Sequence, residues 1–251
     1  MKSRKLIAAI ACRNKSSRLY AKPLQTLDIK KKISVISFII NNLKKQKIIK
    51  EIVLGISNEP ENNIYKSIAR KHKIKYILGS DKDVLKRLIR CGKVSKATDV
   101  FRITSESPFT YITNLKKSWI FHIKNKNDAT FLDNIIDGCG YEIITMNALG
   151  LSHKNGYARH RSELCTLYLR ENKKKFKIGN IEFPNYLKRN DLRLTIDYPE
   201  DLIVCREIYK KTINSRKKIN FKSIINFLDK RKDLKLLTKK FTYLGLKSMY
   251  L

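Results

Sequence analysis

Ile10-Ala11-Cys12-Arg13-Asn14-Lys15-Ser16-Ser17-Arg18-Leu19-Tyr20-Ala21-Lys22-Pro23-Leu24 is the stretch whose reading decides the fold. It continues the apolar run Leu6–Ala11, and from Ile33 to Leu43 apolar residues recur at near-helical spacing. A buried strand that empties into a polar, cation-bearing loop with an apolar helix after it is how open α/β sheets present phosphate sites at strand ends. The order predicts that this loop meets the phosphates of a nucleotide.

Outward from the loop, β-favouring apolar runs alternate with helical patterns, the signature of a wound α/β sheet. Strands are predicted at Leu6–Ala11, Glu51–Ile56, Lys75–Leu78 and Asp99–Thr104, and helices at Ile33–Leu43, Asn62–His72 and Asp83–Val94. After Thr104 the rhythm loosens. Further strands are predicted at Ala129–Leu132, Glu142–Met146, Phe176–Ile181 and Leu192–Ile196, with helices at Arg161–Glu171 and Pro199–Lys211. A Lys-rich tail beginning near Ser215, with an apolar helical pattern in Phe221–Leu228, reads as a helical appendage. The division expected is a main domain over 1–212 and a helical extension over 213–251.

The chain has 251 residues, 42% of them hydrophobic, enough for a substantial core. No apolar run reaches the roughly 18 residues of a membrane span, and the short apolar run after Met1-Lys2-Ser3-Arg4-Lys5 does not match a signal peptide. A cytoplasmic location is the expectation. Five scattered cysteines without a CxxC pair read as reduced, packed thiols. A net charge of +33 suits a polyanionic ligand. The cations are spread from end to end, however, and no RNA-recognition, KH, helix-turn-helix or zinc-finger pattern accompanies them, which argues against nucleic acid as the specific ligand.

Four landmarks occur in an order that resembles the cytidylyltransferases that activate acidic sugars, especially the spore-coat polysaccharide branch. Arg13–Leu24 is similar to A-R-x-x-S-x-R-L-P-x-K-x-L, and Gly79-Ser80-Asp81-Lys82-Asp83-Val84-Leu85-Lys86-Arg87 to G-S-x-x-D-V-L-x-R. Arg102-Ile103-Thr104-Ser105-Glu106-Ser107-Pro108-Phe109 is similar to R-I-T-x-D-x-P-L, and Leu192–Leu202 to L-R-L-T-V-D-x-P-E-D-L. The resemblance spans about residues 5 to 211. It implies a Rossmann-like, GT-A-like nucleotidyltransferase fold with a mixed central sheet flanked by helices. It also implies Mg2+, CTP as donor, an acidic sugar or related acceptor, and a homodimer contact after Phe131.

Within that resemblance each residue has a chemical task. Arg13, Arg18 and Lys22 are placed to neutralise a tetra-anionic triphosphate, the arginines as planar forks and Lys22 as a point charge. Small Ser16 and Ser17 let backbone amides approach. Asp197, at the end of a predicted strand, is the foremost metal ligand, with a helix N-cap as its structural alternative. Glu106 is a second metal ligand, standing where the pattern has aspartate. Asp83, Arg87 and Thr104 fall on the nucleotide side; for Asp83 and Arg87 an i,i+4 ion pair is the alternative. Arg102 and Glu142 fall on the acceptor side; for Arg102, orienting the strand end that carries Glu106 or a structural salt bridge is the alternative. Lys15, Tyr20, Thr110 and Leu164 depart from the glycine, proline, aspartate and histidine of the pattern, which points to an altered acceptor pocket. Two alternatives stay open: a diverged, non-catalytic nucleotide or polyanion binder, and a glycosyltransferase that uses a nucleotide sugar.

Overall fold

The computed structural model describes residues 4–213 and 219–248. The run Leu6–Cys12 forms strand β1, with Leu6, Ala8, Ile10 and Cys12 facing one hydrophobic cluster and Ile7 and Ala9 facing another. Side chains alternate across a strand, so a run that is apolar at every position suits a strand covered on both faces. After the loop, β2 (Thr26–Asp28) and β3 (Ile33–Ser34) form a small antiparallel pair. Helix α1 (Val35–Lys44) starts where the Ser34 hydroxyl accepts from Ser37 N–H, two residues later than the apolar spacing alone suggests.

The chain then builds outward through β4 (Glu51–Ser57), α2 (Ile64–Lys71) and β5 (Lys75–Gly79). It returns through α3 (Val84–Val94) to β6 (Asp99–Thr104) on the other side of β1. Next come α4 (Leu115–Lys124), β7 (Ala129–Leu132), β8 (Tyr141–Thr145), α5 (Met146–Asn155), α6 (Leu167–Glu171) and β9 (Ile178–Asn180). The described chain closes with α7 (Pro199–Thr212), α8 (Phe221–Lys230) and α9 (Lys232–Ser248).

The central sheet has the order β5-β4-β1-β6-β8-β7-β9. Strands β5, β4, β1 and β6 are parallel, β8 runs against β6 and β7, and β9 is parallel to β7. This is the α/β, mixed-sheet architecture expected, with helices on both faces. Because the path leaves β1 toward β4 and comes back to β6, the strand order reverses at β1, the switch point at which such sheets open a ligand crevice.

Several expected elements differ, each for a local reason. Leu192–Ile196 is not a ladder strand. It makes an isolated bridge, between Arg193 and Asp137, and bends at Thr195, because its amides go to two places: Leu194 N–H to Asp137 O at 2.8 Å and Ile196 N–H to Glu106 O at 3.0 Å. Gly138, at φ +84°, lets the chain turn there; a Cβ would lie 2.5 Å from the Thr195 nitrogen. The helix expected from Arg161 begins only at Leu167, since Ser162 Oγ donates to Arg159 O and accepts from Leu164 N–H to form a turn. The strand read as Glu142–Met146 stops at Thr145, whose hydroxyl caps α5 by accepting from Ala148 N–H. That read as Phe176–Ile181 shortens to β9.

The start of the tail near Ser215 lies outside the described residues. Beyond it, Phe221, Ile224, Ile225, Leu228 and Leu234 join the same hydrophobic cluster as α1 and α7. All five cysteines are buried and free, as expected. No helix among the described residues is long and apolar enough to cross a membrane.

Candidate functional site

The carboxyl ends of β1, β4, β5 and β6 share one edge of the sheet, and the loop after β1 lies across it. The loop is held in shape by its own backbone. Ala21 N–H donates to Asn14 O at 2.8 Å, and Asn14 N–H donates to the Asn62 side-chain oxygen at 2.8 Å. From this frame Arg13 reaches Asp81 Oδ1 at 3.4 Å and Glu163 Oε2 at 3.7 Å. Beneath it Arg87, 1% exposed, donates through Nη1 to Cys12 O at 3.2 Å and Gly55 O at 2.9 Å. A Cβ at Gly79 would come within 2.7 Å of the Arg87 side chain, so a bare residue makes room for this buried strut. Burial pushes the Arg87 guanidinium below its ordinary range. Arg87 thus supports the loop from below.

Arg18 and Lys22 converge on Asp197. Lys22 Nζ lies 2.5 Å and Arg18 Nη2 2.9 Å from Asp197 Oδ1, while Arg193 Nη2 lies 2.6 Å from Oδ2. Arg193 is fixed in turn by Asp137 and by Asp201 Oδ1 at 2.9 Å. The other oxygen of Asp201 accepts the N–H groups of Asp197 and Tyr198 at 2.9 and 3.0 Å, opening α7. The capping role considered for Asp197 therefore falls to Asp201, and the Asp197 carboxylate faces the cations. Burial would raise the Asp197 carboxyl, but Lys22, Arg193 and Arg18 outweigh it and hold it below the usual aspartate range.

Glu106 comes alongside through the Ile196–Glu106 backbone bond. Its burial, assisted by the neighbouring Asp197 and opposed by Lys22, pushes its carboxyl above the usual range. Thr104 donates to Ser107 Oγ at 2.6 Å, and Ser107 in turn to Thr195 Oγ1 at 3.3 Å, tying the end of β6 to the segment that carries Asp197. Among the described residues no group of three His, Cys, Asp or Glu side chains gathers as a ready-made metal cage. Two oxygen donors on adjoining segments nevertheless fit magnesium, which takes one or two carboxylates and completes its shell with substrate phosphates and water.

A second set of charges flanks the first across β6 and β8. Arg102 and Glu142 are register partners, and their side chains meet at 3.0 Å. Arg102 also donates to Glu163 O at 2.9 Å. Glu142 takes Arg170 at 3.1 Å and the Thr166 hydroxyl at 2.6 Å, and Arg170 forks onto Asp133 at 2.6 and 3.1 Å above the Phe131 ring. Burial would raise Glu142, but Arg102 and Arg170 hold it low. Arg170, with Asp133 and Phe131, faces a cleft of about 1030 Å³ bounded by β9 and Phe183.

Of the residues expected at the site, Arg18, Lys22 and Asp197 come into direct contact, with Glu106 beside them. Asp83 and Arg87 take separate partners rather than each other: Asp83 caps α3 by accepting Lys86 N–H at 2.8 Å and meets His153 Nε2 at 2.8 Å. Ser16 accepts Arg18 N–H at 3.4 Å, and Ser17 is exposed. Sequence reasoning missed Arg193 as the centre of the aspartate cluster, although it stands four residues before Asp197 in the same motif. It also missed Arg170 and Asp133, which no local spacing connects.

Comparison with known proteins gives this geometry a lineage. A family model described as cytidylyltransferase matches residues 7–243. An uncharacterised protein of Methanocaldococcus jannaschii is 32% identical over 233 residues, spanning 92% of this chain and 93% of that protein. A spore coat polysaccharide biosynthesis protein of Bacillus subtilis is 24% identical over 233 residues, spanning 91% of this chain and 95% of that protein. The structure of a cytidylyltransferase from Leptospira borgpetersenii matches with a TM-score of 0.82 at 20% identity, over 92% of this chain and 97% of that one.

Proposed function

This chain belongs to the cytidylyltransferase family, and we propose that it transfers CMP from CTP to an oxygen of an acidic sugar or related acceptor in surface polysaccharide synthesis. The observation that carries the reading is the convergence of Arg18 and Lys22 on Asp197, beside Glu106, at the strand-order reversal of the sheet. In the reaction the acceptor oxygen forms a bond to the α-phosphorus, and the bond from that phosphorus to the β-phosphate bridging oxygen breaks. Pyrophosphate departs and the acceptor hydroxyl proton passes to solvent.

Charge builds on the leaving pyrophosphate, so preorganised cations are the chief requirement. Arg13, Arg18 and Lys22 supply them from a loop whose frame Asn14, Asn62 and Arg87 hold still. Asp197 and Glu106 would hold Mg2+, which neutralises phosphate oxygens when bound. The raised Glu106 carboxyl agrees with a position that gains from an adjacent cation. Arg102 and Glu142 border the acceptor side, where the enclosed charge pairs position rather than attract. The polysaccharide role is supported by the Bacillus subtilis relative. We assign the helices beyond 212 to an extension that braces α7, and a homodimer contact to the region after Phe131, where β9 leaves an open sheet edge.

The test is incubation of pure protein with CTP, Mg2+ and a panel of sugar acids, with pyrophosphate as the readout. Acceptor-dependent pyrophosphate release supports the transferase. CTP binding without release identifies a diverged binder, and turnover of a nucleotide sugar in place of CTP identifies a glycosyltransferase.

A further inference from the structure

Tyr198 follows Asp197 and opens α7, and its ring has an unusual neighbour. The Phe241 ring, on α9, stacks on it with centroids 3.7 Å apart and planes inclined by 13°. Phe241 is buried at 7% exposure. The next residue back on α9, Lys240, reaches Glu200 in the first turn of α7 at 3.9 Å, so the two helices also meet through charge. The Arg18 guanidinium lies 5.4 Å from the centroid of the same Tyr198 ring, and its Nη2 contacts Asp197 at 2.9 Å. A continuous line of contacts runs from the C-terminal helix through Tyr198 to a cation of the phosphate loop.

Arg18 sits on an exposed loop, and its long side chain has many rotamers to lose before it can grip a phosphate. An aromatic face beside the guanidinium narrows that choice, because the ring's negative face attracts the cation and its plane guides the fork. The face helps only if it is itself held. Tyr198 stands at a helix entrance, with Phe241 packed against its ring and no strand ladder through its segment. We propose that Phe241 is a positioning residue for the nucleotide. By stacking on Tyr198 it fixes the surface against which Arg18 is pre-oriented, which makes α9 a functional part of the phosphate site. The proposal rests on the CTP-binding function inferred above.

The experiment is calorimetric titration of CTP with Mg2+ into the full-length wild type, Phe241→Leu, Arg18→Ala and the double variant, each checked by thermal melting. Leucine keeps apolar bulk and helix propensity while removing the aromatic face. Phe241→Leu is expected to weaken CTP affinity about 3- to 10-fold, the range of one aromatic contact, and Phe241→Trp to restore it. In the Arg18→Ala background Phe241→Leu adds no further loss, since the path to the ligand is already cut. Tyr198→Leu removes the same face from the other partner and follows the same pattern, which keeps the test decisive if Phe241→Leu folds poorly.

Equal fold-losses with and without Arg18 would show that Phe241 acts through general stability and would overturn the proposal. Unchanged affinity in both Phe241→Leu and Tyr198→Leu, with CTP still bound by wild type, would do the same and leave the CTP reading intact. A wild type that binds no CTP removes the CTP reading and this inference together.

Discussion

The arginines of the β1 loop and those between β6 and β8 are held in opposite ways, while the loop's Lys22 is itself enclosed against Asp197. Arg13 and Arg18 keep 40% and 46% of their side-chain surface exposed, and the Arg13 contacts with carboxylates are long, at 3.4 and 3.7 Å. Arg102 and Arg170 keep 15% each, close on carboxylates at 2.6 to 3.1 Å, and share Glu142, whose side chain is 5% exposed. Exposed guanidiniums exchange a carboxylate for a phosphate at little cost, whereas an enclosed pair that loses one partner strands a buried charge. On the proposed function, the first set receives an anion and the second holds a shape.

Substitutions can break that contrast at several strengths. The largest effect is expected where the loop cations converge: Asp197→Asn keeps side-chain volume but removes the charge that gathers Arg18, Lys22 and Arg193. Pyrophosphate release is expected to fall about 10³-fold or more, while Glu106→Asp preserves or raises turnover. Full turnover in both Asp197→Asn and Glu106→Ala would remove the two-carboxylate arrangement.

On the enclosed side, Glu142→Gln takes the charge from between two guanidiniums and should cost about 3–5 kcal/mol of stability, read from denaturant melts. Because the Glu142 carboxyl is held below its ordinary range, its contribution is present above the usual glutamate pKa and is lost as pH falls through the lowered value. The gap between variant and wild type therefore closes in acid, and a gap that widened in acid would contradict the assignment.

Smaller effects test the β1 loop. Lys22→Ala should weaken CTP binding by about 1.5–3 kcal/mol, the worth of a charge-assisted contact. The smallest effect carries the opposite sign. Glu106 has a raised carboxyl in the folded protein, so its ionisation begins to oppose folding above the usual glutamate pKa, and that cost grows as pH rises and is complete once pH passes the raised value. Glu106→Gln is accordingly expected to melt slightly higher than wild type at neutral pH, by about 2–4 °C, with the gain vanishing below the ordinary glutamate range. A lower melting point at neutral pH would mean that the carboxylate stabilises the fold.

The same division explains what could be read in the sequence. Strands β1, β4, β5 and β6 were legible to within a residue because each carries a short β-favouring apolar run between polar segments, continuous in the buried β1 and shorter in the half-buried edge strand β5. The loop cations and Asp197 were legible because a motif keeps them a short distance from a strand end. The region after Thr104 was not. Leu192–Ile196 has the composition of a strand, but its amides are claimed by Asp137 and Glu106, partners set by the tertiary path. The Arg170–Asp133 pair joins positions 37 residues apart, and the Tyr198–Phe241 stack joins segments separated by all of α7 and α8. Helix α4, with Trp119 and His122 on its buried side, lacks an acidic first turn or side-chain cap that would announce it.

The most direct test of the contrast is a pair of calorimetric titrations of CTP with Mg2+, into Arg13→Met from the exposed set and Arg170→Met from the enclosed set, beside wild type. Both substitutions remove one guanidinium and keep an extended apolar side chain. Arg13→Met is expected to lose about 10- to 100-fold in CTP affinity with little change in melting temperature. Arg170→Met is expected to melt several degrees lower yet bind CTP within about 3-fold of wild type. Loss of CTP affinity in Arg170→Met, with Arg13→Met binding as wild type, would contradict the contrast between the two sets.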